Sequence, residues 1–178
     1  MVWEIVDRMT GGEAAGGAVV VDEAMASVIR ADFDRYPTKR AVLLKALHLV
    51  QAKEGFVSDQ AMREVARLLE ISPAEVLDTL SFYDMYSRQK RGRHLIGVCV
   101  SLSCELCGCE KILGQLKEKF GIGPGETTED GTYTVVPMEC IGTCEYAPAI
   151  LVNEQEYKIE DVEQLEEILA KAAGGNGI

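Results

Sequence analysis

The cysteines are confined to one part of the chain, and this asymmetry constrains the protein more than any other feature of its sequence. Six cysteines occur in 178 residues, four between Cys99 and Cys109 and two at Cys140 and Cys144. None precedes Cys99. In a reducing compartment, clustered thiols favour metal or redox chemistry over structural disulfides. We therefore expect a metal or redox centre in the C-terminal half of the chain.

The charge balance narrows the possible partners and the location. With 18 basic and 29 acidic side chains the net charge is −11, whereas nucleic acids and anionic membrane surfaces select clustered Lys and Arg. No stretch approaches the ~18 consecutive apolar residues of a spanning helix. The first residues, Met1 to Ile5, lack the pattern of a signal peptide. We expect a cytoplasmic protein that binds no nucleic acid, inserts in no membrane, and reaches a membrane only through a partner.

The first half of the chain is typical of a small helical bundle. Glycines concentrated before Val20 predict a flexible tail over residues 1–20. Apolar residues at helical spacing then predict four helices up to about Tyr86. They cover Val21–Asp34, Arg40–Lys53, a segment capped by Ser58, and a segment that starts at the capping box Ser72-Pro73-Ala74-Glu75. The basic stretch Ser87–Arg93 marks a boundary, so we expect a helical domain over 21–90 and a second domain over 91–178.

The periodicity of the second domain changes to a mixture of strands and helices. Strands are predicted at His94–Val100, Thr132–Val136 and Ala149–Val152, helices at Glu105–Phe120 and Glu160–Ala172, and a turn at Asn153-Glu154 before a short fourth strand near Tyr157. In the first of these helices, Leu106, Ile112, Leu113 and Leu116 are expected to point inward. The order β-α-β-β-α indicates a compact domain of the α/β class.

The cysteines form two pairs with chemically informative spacing. Cys99-x4-Cys104 follows the first strand, and Cys140-x3-Cys144 lies between two later strands, so four thiolates are expected at one end of the sheet. Four thiolates bind zinc or an iron–sulfur cluster, and the Ser103 hydroxyl is a candidate hydrogen-bond donor to their sulfur atoms. The pairs lack the C-x2-C knuckle common in zinc sites and the C-x2-C-x2-C run of four-iron ferredoxins. The spacing favours a 2Fe-2S cluster with one pair for each iron, and a zinc-stabilised interaction module remains the alternative.

Other chemistry-bearing residues give weaker signals. A thiol oxidoreductase acting through Cys104 and Cys107 would leave the second pair without a role. His48 lies in an apolar helix and is interpreted as a core or interface residue. A Rieske centre would need two histidines, and His48 and His94 fall in different domains. The glycine run 121–125 lacks the spacing and the preceding strand of a dinucleotide-binding motif, so NADH and flavin are not expected on this chain.

Several motifs resemble those of one family. They are Val98-Cys99-Val100-Ser101-Leu102-Ser103-Cys104-Glu105-Leu106 with Gly108, Glu139-Cys140-Ile141-Gly142-Thr143-Cys144 with Ala147-Pro148-Ala149-Ile150, Arg35-Tyr36-Pro37, Ala46-Leu47-His48-Leu49, Gly55-Phe56-Val57-Ser58, and Ser81-Phe82-Tyr83-Asp84-Met85-Tyr86. Over about Ala31–Ile168 the chain resembles the thioredoxin-like 2Fe-2S ferredoxin family, represented by the small 2Fe-2S subunit of bacterial NADH:quinone oxidoreductase (respiratory complex I).

The resemblance implies a complete functional assignment. It implies a helical domain followed by a thioredoxin-like ferredoxin domain, with one 2Fe-2S cluster held by Cys99, Cys104, Cys140 and Cys144. It implies a flavoprotein partner that carries FMN and NADH, within a translocating respiratory complex peripheral to the inner membrane. The chain would be an electron-transfer subunit without catalytic residues of its own. Similar small subunits serve NAD(P)-linked hydrogenases and formate dehydrogenases, which are alternative parent complexes.

One departure from the family pattern concerns the two remaining cysteines. Family members often carry arginine at position 107 and a small residue at 109, whereas this chain has Cys107 and Cys109. We interpret both as small, weakly apolar side chains; the alternative is ligand exchange between Cys104 and Cys107, which are three residues apart and would share one face of a helix. The aromatic residues Phe82, Tyr83 and Tyr86 are expected to cluster near the domain boundary, where either domain packing or contact with the flavoprotein would explain them.

Overall fold

The computed structural model describes residues 19–159 and 162–174. These residues fall into two compact units that divide between Lys90 and Arg91. We call residues 19–90 the helical unit and the described residues from 91 onward the sheet unit. The tail predicted over residues 1–20 lies outside the described residues except for its last two. Of these, Val20 is buried in the core of the helical unit.

The helical unit contains four α-helices. They are α1 (Glu23–Arg30), α2 (Leu43–Glu54), α3 (Asp59–Leu69) and α4 (Pro73–Phe82). Short 3-10 turns at Phe33–Arg35 and Lys39–Val42 separate α1 from α2. The helices predicted over Val21–Asp34 and Arg40–Lys53 are therefore shorter on the sides that face each other, because residues there form 3-10 turns instead, and Asp22 caps α1 so that it begins at Glu23.

Local capping explains where these helices begin and end. The Ser58 hydroxyl accepts a hydrogen bond from the backbone N–H of Ala61 at 3.1 Å, which confirms its predicted role as the N-cap of α3. Ser72 and Glu75 form the predicted reciprocal capping box at the start of α4. Gly55 ends α2 with φ +81°, a left-handed conformation that glycine adopts without strain.

The segment after α4 is fastened to the rest of the helical unit. The Tyr86 hydroxyl donates to the carbonyl oxygen of Leu44 at 3.0 Å. Gln51 donates to the carbonyl of Met85 and accepts from the N–H of Ser87. Tyr86 also lies 5.2 Å from His48, ring centroid to centroid, and 6.3 Å from Tyr83. The predicted aromatic cluster therefore exists, whereas His48 is exposed and is not a core residue.

The sheet unit is built on four strands in the spatial order β2-β1-β3-β4. They are β1 (His94–Cys99), β2 (Tyr133–Met138), β3 (Ala149–Val152) and β4 (Gln155–Lys158). β1 pairs with β2 in parallel, with Cys99 opposite Met138, and with β3 in antiparallel fashion, with Val98 opposite Ile150. β4 confirms the short strand predicted near Tyr157.

Helices complete the sheet unit and bury its core. They are α5 (Leu102–Leu106), α6 (Cys109–Phe120) and α7 (Val162–Gly174). Ile112 and Leu116 of α6 and Leu165 and Leu169 of α7 pack with β1 and β3 in one buried cluster. The mixed α/β class predicted from the sequence is therefore confirmed.

The helix predicted over Glu105–Phe120 is wrong in one respect, because the structure divides it into α5 and α6. Gly108 adopts φ +94° between them and turns the chain. Ile112 and Leu116 point inward as expected, but Leu106 is 80% exposed. The change of direction at Gly108 places Leu106 outside the helical face to which Ile112 belongs.

Candidate functional site: a four-cysteine centre

The sheet topology brings both cysteine pairs to one edge. Cys99 is the last residue of β1, and Cys140 follows β2 by two residues. Because β1 and β2 are parallel, their carboxyl ends meet at this edge, and the antiparallel β3 begins there with Ala149. Helix α5, which contains Cys104, and the loop that contains Cys140 and Cys144 therefore converge, as predicted.

The two pairs differ in burial. Cys99 and Cys104 are each 2% exposed, whereas Cys140 and Cys144 lie at the surface. The Sγ atoms of Cys140 and Cys144 are 3.6 Å apart. A group held by all four thiols would therefore have one side in the core of the sheet unit and the other side near the solvent.

Electrostatic interactions show that the four thiols are neighbours. Burial raises the pKa of Cys104 to about 11, and the thiols of Cys99 and Cys109 add to the increase. The hydrogen bond and charge of Cys140 raise the pKa of Cys144, to which Cys99 also contributes. Cys99 thus interacts with one member of each pair and links the buried pair to the exposed pair.

Two hydroxyl groups lie in the cysteine loops. Ser103 makes a side-chain hydrogen bond to Cys144, which lowers the pKa of that thiol and connects the two loops. The Oγ1 atom of Thr143 is buried and has no hydrogen-bond partner among the described residues. The sequence suggests Ser103 as a donor to sulfur. It does not single out Thr143, because a threonine between two cysteines carries no sequence signal of its burial.

The remaining cysteines do not share one environment. Cys109 is 2% exposed and belongs to the same buried cluster as Cys99 and Cys104. Burial raises its pKa, and the carboxylates of Glu105 and Glu110 add to this effect. Cys107 follows α5 and is exposed. Cys109 is therefore a side chain of the core and Cys107 a surface residue, and the interpretation of both as small, weakly apolar side chains stays a prediction.

The thiol arrangement fits an iron–sulfur cluster held by two pairs. Two thiolates on one tetrahedral ion with metal–sulfur bonds near 2.3 Å lie roughly 3.8 Å apart, close to the 3.6 Å between Cys140 and Cys144. Within the described parts of the chain, no three His, Cys, Asp or Glu side chains converge on a position for a single metal ion. Four thiols in two pairs are a ligand set that an iron–sulfur cluster takes.

Comparison with known proteins supplies the family. The model of the thioredoxin-like 2Fe-2S ferredoxin family matches residues 29–173, which include both units and all six cysteines. The chain belongs to this family. The family resemblance inferred from the cysteine motifs is therefore confirmed, and with it the thioredoxin-like assignment of the fold.

Similar proteins are subunits of NADH-quinone oxidoreductases. An NADH-quinone oxidoreductase subunit of Aquifex aeolicus is 37% identical over 149 residues, which cover 84% of this chain and 93% of that protein. Its counterpart in the NADH-quinone oxidoreductase of Thermus thermophilus is 40% identical over 147 residues, which cover 80% and 81% of the two chains. Both relatives are thus aligned over most of their length.

A solved structure links the same fold to a second kind of enzyme. An NAD+-reducing NiFe hydrogenase in the H2-reduced state matches with a TM-score of 0.61 and 27% identity. The match covers 74% of this ferredoxin but only 22% of the hydrogenase chain. None of the helices in the described parts of the ferredoxin is long and apolar enough to cross a membrane.

Proposed function

We propose that this chain is the electron-transfer subunit of an NADH-oxidising complex and holds one 2Fe-2S cluster through Cys99, Cys104, Cys140 and Cys144. The observation that carries the proposal is the meeting of the two cysteine pairs at the carboxyl ends of β1 and β2 in a member of a 2Fe-2S ferredoxin family. When bound, such a cluster accepts and releases one electron at a time.

The residues around the thiols support this role. Burial of Cys99 and Cys104 keeps water away from one side of the site and fixes the two side chains. The Ser103 hydroxyl stabilises negative charge on the Cys144 sulfur. The Ser101 hydroxyl lies 3.5 Å from the Glu139 carboxylate and links the loop after β1 to the loop after β2. These contacts connect the segment after β1 to the segment after β2 beside the ligands.

A thiol oxidoreductase function finds no support in the same residues. Nucleophilic cysteines of such enzymes have lowered pKa values, because the thiolate is the reactive form. Burial instead raises the pKa of Cys104 to about 11. The 2Fe-2S proposal accounts for all four thiols at the edge of the sheet, whereas the oxidoreductase proposal uses one of them together with the exposed Cys107.

We propose that the electron donor is FMN on a flavoprotein partner, which also binds NADH. NADH delivers a hydride, whereas a 2Fe-2S centre moves a single electron, so a flavin must mediate between them. Three large apolar side chains close in sequence to the cysteines are exposed to solvent: Leu102 is 70% exposed, Leu106 80% and Tyr146 48%. Exposed apolar groups of this kind are typical of surfaces that bind another protein.

Charge indicates the character of the surface that covers these residues. Glu105, Glu139 and Glu145 are exposed beside the cysteines, and the cluster itself carries negative charge with four thiolates. A partner surface with apolar pockets and a basic rim is complementary to this arrangement. We therefore assign the flavoprotein, with such a surface, as the occupant of the Leu102–Leu106 face.

The helical unit is proposed to be a second docking element for the same partner. It contains no cysteine, yet its own core is complete and its surface carries large apolar side chains. Phe82 is 79% exposed and Met85 51%, next to the aromatic pair Tyr83 and Tyr86. This unit has no cysteines to bind a cluster, and it exposes large apolar side chains. Its surface therefore supports a role in attaching the chain to the complex.

Two parent complexes are consistent with the relatives. The curated relatives support NADH:quinone oxidoreductase, in which this chain would lie on the cytoplasmic side and remain peripheral to the inner membrane. The similarity to an NAD+-reducing hydrogenase favours a second candidate, the ferredoxin portion of a hydrogenase. Purification of the native complex distinguishes them. Quinone reductase activity supports the first candidate, and hydrogen-dependent NAD+ reduction supports the second.

Substitution of single cysteines tests the ligand assignment. Replacing Cys99, Cys104, Cys140 or Cys144 by serine should abolish or strongly alter the visible spectrum and lower the iron content. Cys107→Ala and Cys109→Ala are matched controls from the same segment and should retain the cluster. A Cys107→Ala protein without colour, or a Cys140→Ser protein with an unchanged spectrum, would show that the assignment is wrong.

A further inference from the structure

The hydroxyl of Thr143 is a buried polar group beside the proposed ligands that the fold leaves unexplained. Its Oγ1 atom is buried and makes no hydrogen bond with any described residue. Buried hydroxyl groups are nearly always paired, and an unpaired one points to a missing partner. Ser103 provides the contrast, since its hydroxyl already has a partner in the Cys144 thiol.

The position of Thr143 suggests what that partner is. The residue directly precedes Cys144, and the Sγ atoms of Cys140 and Cys144 lie 3.6 Å apart across the loop that contains it. Gly142 adopts φ +90° immediately before Thr143, a conformation that glycine supplies without strain. The Thr143 carbonyl is occupied, because it accepts a hydrogen bond from the N–H of Tyr146 at 2.9 Å. The hydroxyl remains available to the site.

We infer that the Thr143 hydroxyl donates a hydrogen bond to a sulfur atom of the bound cluster and raises its reduction potential. This inference rests on the proposed 2Fe-2S function. A sulfide of the bound cluster is an acceptor that the polypeptide alone does not provide. A hydrogen bond to sulfur stabilises the reduced, more negative state more than the oxidised state, so it favours reduction.

The test compares Thr143→Val, which keeps the shape and removes the hydroxyl, with Thr143→Ser, which keeps the hydroxyl. Each full-length protein is purified with its cluster and titrated with dithionite while its EPR signal is recorded. At one fixed solution potential, the valine variant should show a reduced-to-oxidised ratio about tenfold lower than the wild type, a fall of roughly 59 mV for one electron. The serine variant should stay close to the wild type.

Further measurements keep the outcomes distinct. Thr143→Ala also lacks the hydroxyl and decides the question if the valine variant binds no iron. Iron and sulfide content test the proposed function separately, since a wild-type protein without a cluster refutes that proposal. If the cluster has the same reduction potential in the wild type and in the hydroxyl-free variant, the role of Thr143 is refuted and the proposed function is unaffected. A serine variant that shifts as far as the valine variant also overturns it, because the shift would then occur with the hydroxyl still present.

Discussion

Replacing Leu102 and Leu106 together by glutamine should weaken binding of the protein to its flavoprotein partner while leaving its own fold intact. Both residues lie on α5, four positions apart and therefore on one face of the helix. They are 70% and 80% exposed, so they contribute little to the core of the sheet unit. Glutamine has nearly the helix propensity of leucine, which limits the effect on α5 itself.

The magnitude follows from the area that remains exposed. Full burial of a leucine side chain is worth about 1.5–3 kcal/mol. With about three quarters of each side chain exposed, burial by the partner would add roughly 1–2 kcal/mol per residue, or about 3 kcal/mol for the pair. Because 1.4 kcal/mol corresponds to a factor of ten, the dissociation constant should rise by roughly 100-fold.

The assay is a titration of the cluster-loaded protein with the purified flavoprotein at constant ionic strength. Lys117→Gln, at an exposed position of α6, is a control that should change the dissociation constant by less than about threefold. Visible spectra and thermal unfolding of the double variant should match those of the wild type. A double variant that binds as tightly as the wild type would refute the assignment of this face to the partner.

Three further predictions test other parts of the account. Deletion of residues 1–87 should leave a coloured sheet unit that no longer co-purifies with the flavoprotein, and retained full affinity would contradict the docking role of the helical unit. The isolated chain mixed anaerobically with NADH should keep its visible band until the FMN-carrying flavoprotein is added, and rapid bleaching without a flavoprotein would show that the chain accepts electrons from NADH itself. In the cluster-free protein, burial raises the pKa of Cys104 from 9.0 to about 11; the folded state therefore binds that proton more tightly, and the free energy of unfolding should fall as the pH rises from 9 to 11. Denaturant titrations of the cluster-free wild type and Cys104→Ala check this last expectation, and an equal pH dependence in both would contradict it.

The elements predicted most accurately are those with strong local determinants. The Ser72–Glu75 capping box and the Gly55 helix end depend on residues close in sequence, so their position follows from local chemistry alone. The short strand near Tyr157 is predictable because Asn153 and Glu154 mark the turn that precedes it. The convergence of the cysteine pairs is also predictable, because each pair follows or precedes a strand of the same sheet.

The errors arise where tertiary structure overrides a continuous pattern. The apolar spacing of residues 105–120 is compatible with one helix, but the left-handed conformation of Gly108 divides it and exposes Leu106. His48 has apolar neighbours in sequence, yet it lies on the exposed side of α2 against Tyr86, so it is not a core residue and its place at an interface stays a prediction. The burial of the Thr143 hydroxyl depends on how the loop between Cys140 and Cys144 closes, and no local sequence signal encodes that closure.

The central claim is most directly tested by the composition and EPR spectrum of the purified protein. The account predicts about two iron and two acid-labile sulfide per chain, a red-brown colour, and an EPR signal that appears only after one-electron reduction. These properties should be present in the wild type and in Cys109→Ala, and absent or strongly altered in Cys140→Ser. A colourless protein with one zinc ion bound to the same thiols and no EPR signal after reduction would contradict it.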